Sequence, residues 1–263
     1  MFPKLVSIGK FFIPTYGTLV AIAFLIALWA TVRLARRAKL PTEPVTNLAI
    51  YCALAGLAGA KLFMILFDWK SYWNDPASLF SLSTLQAAGV YQGGFLVAFI
   101  TAILYMRHNR LPVLDTCDVF SPGIALGQAI GRLGCFSAGC CWGIECHLPW
   151  AVTFKNPEAY NLTGVPLGVP LHPTQLYESL ADALIFAFLY RSISKPHSSG
   201  SILGWYLALY SSARFIIEFF RFHEQGLHFG LSYTQWIALA TLAAGIGLLL
   251  WPHRSINHRR EFA

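Results

Sequence analysis

Apolar residues gather along this chain in seven stretches that are separated by more polar segments. A helix needs about 20 predominantly apolar residues to cross a bilayer. The stretches cover residues 15–33, 46–67, 88–106, 113–131, 173–191, 202–220 and 232–251. The pattern predicts an all-α integral membrane protein, a seven-transmembrane helix bundle that forms a single membrane domain over residues 1–263.

Two of the polar segments are long. Residues 68–87 are rich in aromatic and polar side chains, which predicts an interfacial arm. Residues 132–172 contain glycine, proline and four of the six cysteines, which predicts a small extracytoplasmic head. Because the connections on the opposite side are short, we expect the chemistry on the side of the membrane where the head lies.

The charged residues support this interpretation and give it an orientation. Only 12% of the residues are charged, about half the usual share in soluble domains, and the net charge is +7. Most basic residues follow the odd-numbered stretches, beginning with Arg33, Arg36, Arg37 and Lys39. The positive-inside rule therefore predicts a periplasmic N-terminus and a cytoplasmic C-terminus, and no nucleic-acid partner. Since the first basic cluster follows the apolar stretch, that stretch is expected to be a retained helix and not a cleaved signal peptide.

The sixth stretch contains ionisable side chains, which cost about 2.5–3.5 kcal/mol each on insertion scales and therefore indicate function. Arg214, Glu218 and Arg221 follow i, i+4, i+7 spacing, which places them on one helical face. One interpretation is an ion pair that faces the bundle interior, with Arg221 extending to the interface. The other is that Arg214 binds an anion while Glu218 holds its guanidinium in place.

Arg132 lies among Gly127, Gly131 and Gly134 at the end of the fourth stretch. The glycines permit close backbone approach and predict a turn here. An arginine at that point could bind a phosphate with two parallel hydrogen bonds, which lysine cannot do. The alternative is a basic residue that interacts with a helix C-terminus. Two deep arginines in one bundle favour a phosphate or carboxylate pocket.

The fifth stretch opens with the segment His172-Pro173-Thr174-Gln175-Leu176-Tyr177-Glu178. Proline is favourable at the start of a helix, so the polar residues are expected at the outer interface. His172 is a candidate general base, although a single interfacial histidine is more often structural. Polar side chains within the other stretches include Tyr16, Lys61 and Gln92.

Four cysteines lie within twelve residues, at Cys135, Cys140, Cys141 and Cys146. Zinc ligands usually come as two pairs with two to four residues between partners, so the spacing is only a weak zinc signal. Two disulfides are the plainest interpretation outside a bacterial membrane, with bound metal and free thiols as alternatives. The remaining cysteines lie in apolar surroundings and are expected to be packing residues.

These residues, in this order and spacing, resemble the prolipoprotein diacylglyceryl transferase family over essentially the whole chain. The resemblance is carried by Tyr16-Gly17, Gly59-Ala60-Lys61, Gln92-Gly93-Gly94, Asp118, Pro122, Gly127, Gly131-Arg132-Leu133-Gly134-Cys135-Phe136, Trp142-Gly143, the segment 172–178 and Arg214-Phe215-Ile216-Ile217-Glu218.

The resemblance implies a multi-pass enzyme of the bacterial inner membrane. It implies transfer of the diacylglyceryl group of phosphatidylglycerol to the lipobox cysteine of a prolipoprotein signal peptide, with release of glycerol phosphate. In the family the arginines that match Arg132 and Arg214 bind the lipid phosphate, and the acid that matches Glu218 supports them. Phosphatidylglycerol, the prolipoprotein and membrane lipids are the implied partners, and no metal or cofactor is expected.

The patterns and the resemblance together give a candidate site. The expected catalytic residues are Arg132, Arg214, Glu218, His172 and Cys140. The expected substrate-binding residues are Tyr16, Gln92, Gly93, Cys135, Gly143, Tyr177 and Glu178.

The chain departs from the family where polar groups are expected. Cys135 and Ala138 stand where the family signature has asparagine, and Cys140 stands where it has glutamate. Gln92 stands where the family has a histidine that serves as a proposed base, and an amide cannot accept that proton. Two other functions therefore stay open: a related lipid-dependent transferase with a different acceptor, and a non-catalytic membrane protein that uses its thiols or a metal.

Overall fold

The computed structural model describes residues 3–8, 11–80, 84, 89–223 and 226–251. Part of the predicted interfacial arm, at residues 81–83 and 85–87, lies outside these ranges, as does residue 88 at the start of the third stretch. The C-terminal basic residues Arg254, Arg259 and Arg260, which entered the orientation argument, also lie outside them.

Helices account for most of the described chain. In chain order they are α1 (Thr15–Arg37), α2 (Thr42–Phe67), α3 (Trp69–Asn74), α4 (Tyr91–His108), α5 (Val113–Ala138), α6 (Pro157–Thr163), α7 (Thr174–Ser192), α8 (Ser201–Glu218) and α9 (Tyr233–Leu250), with a 3-10 turn at Pro76–Phe80.

Within the described ranges, seven of these helices have 18 residues or more, and each lies over one of the predicted apolar stretches. Three of them, α1, α2 and α9, are both long enough and apolar enough to cross a membrane. The structure therefore supports a helical integral membrane protein, and the number of spans stays a prediction.

The all-α expectation was incomplete, because the described ranges contain four short strands. β1 (Lys4–Ile8) pairs antiparallel with β2 (Phe11–Pro14), and β3 (Val152–Thr153) pairs antiparallel with β4 (Pro170–Leu171). Two to five residues are too few for the period-2 alternation that identifies a strand in a sequence.

The predicted turn after the fourth stretch is wrong. α5 continues through Arg132 to Ala138, and the head begins only beyond that residue. Gly127 serves helix packing instead, because a Cβ at this position would lie 3.2 Å from the Cβ of Ala27 on α1. Arg132 therefore projects from a continuous helix, and its position is fixed by that helix.

Helix α8, which carries Arg214, is fixed at its N-terminus and near its middle. Asp118 of α5 accepts hydrogen bonds from the backbone N–H groups of Gly200 (2.7 Å) and Leu203 (2.8 Å), two of the donors that a helix N-terminus leaves unpaired. Gly245 lets α9 approach closely, since a Cβ there would lie 2.8 Å from the Ala208 nitrogen. These contacts set the depth at which the arginine lies.

The chain divides into two compact units. The first consists of residues 1–34 and 117–263, and the second of residues 35–116. Within the second unit α2 packs on α4, and Gly93 faces the ring of Phe63 so closely that any side chain would collide with it. The first unit contains both arginines that the sequence indicated, together with the head.

The head has its own small core. Phe154, Ala159, Val165 and Leu171 are buried against one another. Lys4 of β1 forms a 2.7 Å ion pair with Glu158 of α6, so the N-terminal hairpin contacts the head.

Candidate active site

Glu178, in the second turn of α7, is the centre of the site. Its carboxylate binds the Arg132 guanidinium of α5 through Oε2, and the Arg214 guanidinium of α8 through Oε1 at 2.5 Å. The Glu178 side chain is 7% exposed, so this ionic group is largely removed from water. A single carboxylate from one helix therefore holds two arginines from two others.

Arg214 bridges two acids. Its Nη2 lies 2.9 Å from Oε2 of Glu218, one turn further along α8. Ser232, the N-cap of α9, donates its hydroxyl proton to the other oxygen of Glu218 at 3.2 Å. Both interpretations of this helix face require the Arg214–Glu218 ion pair, so the pair does not decide between them, and α9 supports the acid.

A third arginine joins the cluster. Arg221 Nη1 lies 3.3 Å from Oε1 of Glu178, and the side chain is 18% exposed. This contradicts the interpretation in which Arg221 extends away to the interface. Helix α8 ends at Glu218, so the position of Arg221 is decided by the segment that follows the helix.

Strand-like pairing in the head places Arg221. Gly143 pairs with Arg221 in an antiparallel bridge, and the Ile144 N–H donates to the carbonyl of Phe220 at 2.9 Å. On its other edge the same segment bonds to the strand that leads into α7, with the Gly143 N–H donating to the His172 carbonyl at 3.0 Å. Residues 142–146 therefore join the ends of α7 and α8.

The charges in this cluster do not balance by direct pairing. Three guanidinium groups contact two carboxylates, those of Glu178 and Glu218. Asp182 is buried one turn beyond Glu178, but no direct ion pair joins it to these arginines in the described ranges. The charge that direct pairing leaves over can be balanced by the Asp182 carboxylate, by a neighbouring thiolate or by a bound anion, and guanidinium groups suit a phosphate or carboxylate.

The thiols of Cys135, Cys140 and Cys141 lie beside this cluster, and all three sulfur atoms are within 4.8 Å of one another. The C-terminus of α5 explains the first contact. Gly139 adopts a left-handed conformation (φ +83°), its N–H donates to the Phe136 carbonyl, and the Cys140 N–H donates to the Cys135 carbonyl at 3.1 Å. This is a Schellman motif, which brings the side chain after the glycine onto the last helical turn.

An unusual backbone conformation brings the Cys141 thiol into the cluster with Cys135 and Cys140. Its φ is +62°, a left-handed value that costs a non-glycine residue about 1–2 kcal/mol. Two side chains from the first turn of α7 hold the strained segment. The Thr174 hydroxyl donates to the Cys141 carbonyl at 2.8 Å, and the Gln175 amide donates to the Cys140 carbonyl at 2.7 Å.

The thiols are not equivalent. The pKa of Cys141 is lowered, because the thiols of Cys135 and Cys140 donate hydrogen bonds to it and because Arg221 and Arg132 lie nearby. The pKa of Cys140 is raised by the same interactions with Cys135 and Cys141, together with burial. The shifts are opposite in direction, so of these two thiols Cys141 is the one whose thiolate form is favoured.

The disulfide interpretation is wrong for this structure. All six cysteines, each within the described ranges, carry free thiols. Cys146 lies in the head, where its N–H donates to the Pro170 carbonyl at 3.0 Å, and it is not part of the three-thiol group.

His172 and Tyr177 form a separate polar pair at the start of α7. The Tyr177 hydroxyl lies 3.1 Å from Nδ1 of His172, and the indole N–H of Trp150 donates to the same hydroxyl at 2.8 Å. The His172 ring also packs on Phe220, with the ring centroids 5.2 Å apart. The imidazole is thus oriented on both sides within the first unit.

The other candidates are distributed between the two units. Tyr16, in the first turn of α1, packs on the arginine-bearing helix, because a Cβ at Gly134 would lie 3.3 Å from its ring. Gly143 permits the close approach of the strands around it, since any Cβ there would collide with His172 and Phe220. Gln92 is exposed in the first turn of α4, and Gly93 is at the α2–α4 contact, both in the second unit.

A pocket of about 830 Å³ opens in the head beside these clusters. Its volume is in the range of small-molecule sites. Its lining includes Cys141, Trp142, Gly143 and Leu171 of the head, together with Arg221 and Phe222 of the segment that follows α8. Because the pocket wall contains a thiol from one cluster and an arginine from the other, both clusters can act on the same bound molecule.

Sequence reasoning missed three features of the site. Glu178 was predicted to bind substrate, but it is the carboxylate that the three arginines share. Arg221 was not among the predicted site residues. The helical spacing of Arg214, Glu218 and Arg221 does not account for the contact of Arg221, because α8 ends at Glu218 and pairing with Gly143 positions it. Cys141 was passed over in favour of Cys140, although Gly139 before the cysteine pair is a signal for a helix C-cap that returns the chain.

Comparisons with known proteins show the family to which the chain is similar. The family model described as prolipoprotein diacylglyceryl transferase matches residues 3–251. A phosphatidylglycerol–prolipoprotein diacylglyceryl transferase from Clostridium tetani is 33% identical over 88% of this chain and 90% of its own length. Enzymes of the same name from Vibrio parahaemolyticus and Nitrosomonas europaea are 32% and 31% identical, over 96% of this chain and 91% and 90% of their own lengths.

Proposed function

This chain belongs to the prolipoprotein diacylglyceryl transferase family, and we propose that it transfers the diacylglyceryl group of phosphatidylglycerol to the cysteine thiol of a prolipoprotein. The observation that carries the proposal is the buried cluster in which three arginines share two directly paired carboxylates. A phosphodiester anion would balance that charge and would match the planar donors of the guanidinium groups.

The arginines promote the reaction by stabilising the group that leaves. The acceptor sulfur attacks the glycerol carbon of the diacylglyceryl group, a thioether forms, and the carbon–oxygen bond to the phosphate breaks. Glycerol phosphate leaves with an additional negative charge, which Arg132 and Arg214 stabilise in a water-poor site. Glu178 and Glu218 orient these guanidinium groups, so they act by positioning.

We assign proton removal from the acceptor thiol to His172. An imidazole is a suitable base near neutral pH, and its hydrogen bond to Tyr177 supports a fixed orientation for the ring. The proton finally resides on the released phosphate group, which balances the reaction. Cys140 contributes as a hydrogen-bonding thiol in this proposal, because its raised pKa disfavours the role of a base.

The acceptor peptide is proposed to enter the head pocket. Its apolar walls and the aromatic pair of Trp142 and Phe222, whose rings stack at 5.9 Å, suit the small apolar side chains around a lipobox cysteine. Gly143 lets the peptide approach the backbone, and Tyr16, Cys135 and Tyr177 complete the substrate-binding set. Gln92 and Gly93 of the second unit are kept as proposed lipid contacts.

We further propose a seven-span topology in the bacterial inner membrane. The N-terminus and the head lie on the periplasmic side, the arm rests at that interface, and the C-terminus is cytoplasmic. The seven long helices and the basic residues in the last turns of α1, α4 and α7 support this arrangement. Cysteine-scanning accessibility at loop positions would test it.

A transfer assay tests the function directly. The full chain, purified in detergent, is mixed with phosphatidylglycerol labelled in its acyl chains and a lipobox peptide. Label is expected on the peptide cysteine, with glycerol phosphate released in equal amount. Arg132→Ala should reduce transfer at least about a hundredfold, because it removes a donor that stabilises the leaving charge. The exposed Arg191→Ala on α7 is the matched control.

The assay also separates the alternative transferase. Glycerol phosphate release without label on the peptide would contradict the proposed acceptor and favour another nucleophile at the same lipid site. A properly inserted protein that neither releases glycerol phosphate nor labels the peptide would contradict the proposal as a whole.

A further inference from the structure

We propose that Cys135, Cys140 and Cys141 form a binding site for one thiophilic d10 metal ion, with Zn²⁺ as the ion best matched to it. The inference goes beyond the transferase proposal, and in the metal-bound site Cys140 is a thiolate ligand in place of the hydrogen-bonding thiol of the metal-free protein. It departs from the expectation that no metal binds, and it takes up the bound-metal alternative that the cysteine spacing left open.

The distances between the sulfur atoms fit a metal with little movement. All three lie within 4.8 Å of one another. Sulfur atoms that bind one Zn²⁺ at about 2.3 Å in a trigonal plane lie about 4 Å apart. Each thiol therefore needs to move by less than about an ångström, a distance that side-chain rotation can supply.

The three thiols are held in position from outside the cluster. The Schellman bonds of α5 fix Cys140 over Cys135, and the Cys140 thiol lies 3.6 Å from the Cys135 carbonyl oxygen. Thr174 and Gln175 of α7 fix the backbone carbonyls on either side. Such supporting contacts orient the ligands in metal sites. The Cys141 backbone adopts a strained left-handed conformation, although the right-handed conformation would be free of this strain. Backbone strain of this kind is concentrated at functional sites.

The neighbouring charges favour the loaded site. Three thiolates and one Zn²⁺ carry a net charge of minus one, and Arg132 and Arg221 lie close enough to stabilise it. The thiol protons are released to solvent as the metal binds, so charge is conserved. Three protein ligands also leave the fourth tetrahedral position open, on a cluster whose Cys141 lines the head pocket.

Cadmium provides a direct probe, because sulfur-to-cadmium charge transfer absorbs in the ultraviolet and reports thiolate ligands. The purified full chain is reduced, stripped with a chelator and titrated with Cd²⁺ alone, followed by competition with Zn²⁺. We expect saturation at one ion per chain. Cys135→Ser, Cys140→Ser and Cys141→Ser should each weaken the affinity at least tenfold.

Cys146→Ser is the matched control, because it removes a buried thiol from the same head without touching the three-thiol group. It should bind Cd²⁺ as the unmodified chain does, and thermal unfolding in detergent verifies that every variant is folded. The proposal is overturned by the absence of a saturable absorption, or by an absorption that depends on Cys146 and not on the cluster. It is also overturned if anaerobically purified protein contains a disulfide between two of the three cysteines.

Discussion

The arginine cluster and the thiol cluster lie side by side but are assembled differently. Arg132, Glu178 and Arg214 come from three helices, and the shared carboxylate is 36 residues away from Arg214 in the chain. Cys135, Cys140 and Cys141 come from one helix end, joined by a local backbone motif.

Because the two clusters are assembled differently, we expect them to respond differently to substitution. A change in the first cluster leaves buried charges without partners on several helices, and this lowers the free energy of unfolding of the whole bundle. A change in the second alters the conformation of a few residues at a helix end. Disruption is therefore expected to be global in one region and local in the other.

The largest effect is expected for Glu178→Ala, which removes the carboxylate that pairs with Arg132 and Arg221 and leaves Arg214 paired with Glu218. Transfer should fall at least about a hundredfold, and the free energy of unfolding should fall by about 3–5 kcal/mol. Glu158→Ala is the control, because its ion pair with Lys4 is exposed and worth at most about 1 kcal/mol. Thermal unfolding and the transfer assay measure both quantities, and a Glu178→Ala enzyme with near-normal transfer would refute the shared-carboxylate role.

Arg214→Lys tests the geometry of the arginine cluster while it keeps the positive charge at this position. A single ammonium cannot bond Glu178 and Glu218 in the geometry of a guanidinium that bridges them at 2.5 and 2.9 Å. Loss of one charge-assisted hydrogen bond, about 1.5–3 kcal/mol, predicts a fall in kcat/KM of roughly ten- to hundredfold. The exposed Arg191→Lys should be unchanged. Equal kcat/KM for the two variants would mean that charge alone suffices at position 214.

Gly139→Ala tests the local region. Both Gly139 (φ +83°) and Gly168 (φ +77°) are left-handed, so alanine at either position introduces about 1–2 kcal/mol of strain. Only the first variant disturbs the Schellman motif, and cadmium affinity should fall about tenfold there and stay constant in Gly168→Ala. Similar losses of affinity in both variants would show that general destabilisation, and not the motif, controls the thiols.

The smallest effect is expected for Tyr177→Phe, which removes the 3.1 Å contact with Nδ1 of His172 and the acceptor of the Trp150 N–H. A neutral hydrogen bond contributes about 0.5–1.5 kcal/mol, so kcat/KM should fall roughly two- to tenfold. Tyr160→Phe, at an exposed position of α6, is the control. A changed pH profile of kcat/KM in Tyr177→Phe alone distinguishes orientation of a base from simple packing.

The apolar pattern predicted the positions of the long helices closely. Its errors occurred where short-range geometry or packing overrides composition. The glycines near Arg132 indicated a turn, yet α5 continues because Gly127 is needed for contact with α1. The strands in the head have too few residues to produce a recognisable alternation.

The candidate site divides in the same way. Arg132, Arg214 and Glu218 could be selected from sequence, because an ionisable group in an apolar stretch is costly enough to require a reason. The disulfide interpretation failed because spacing gives no information about the direction of a thiol. The left-handed turn at Gly139 and Cys141 sets that direction.

What the sequence determined by itself is the set of helices, the class of protein and the presence of deep arginines, since each follows from the polarity of consecutive residues. Only the tertiary structure decided which acid the arginines share, that Arg221 joins them, and that three thiols meet beside them. Those contacts depend on the depth and rotation of helices that are far apart in the chain, and on backbone pairing in the head. Residue order alone does not specify either of these.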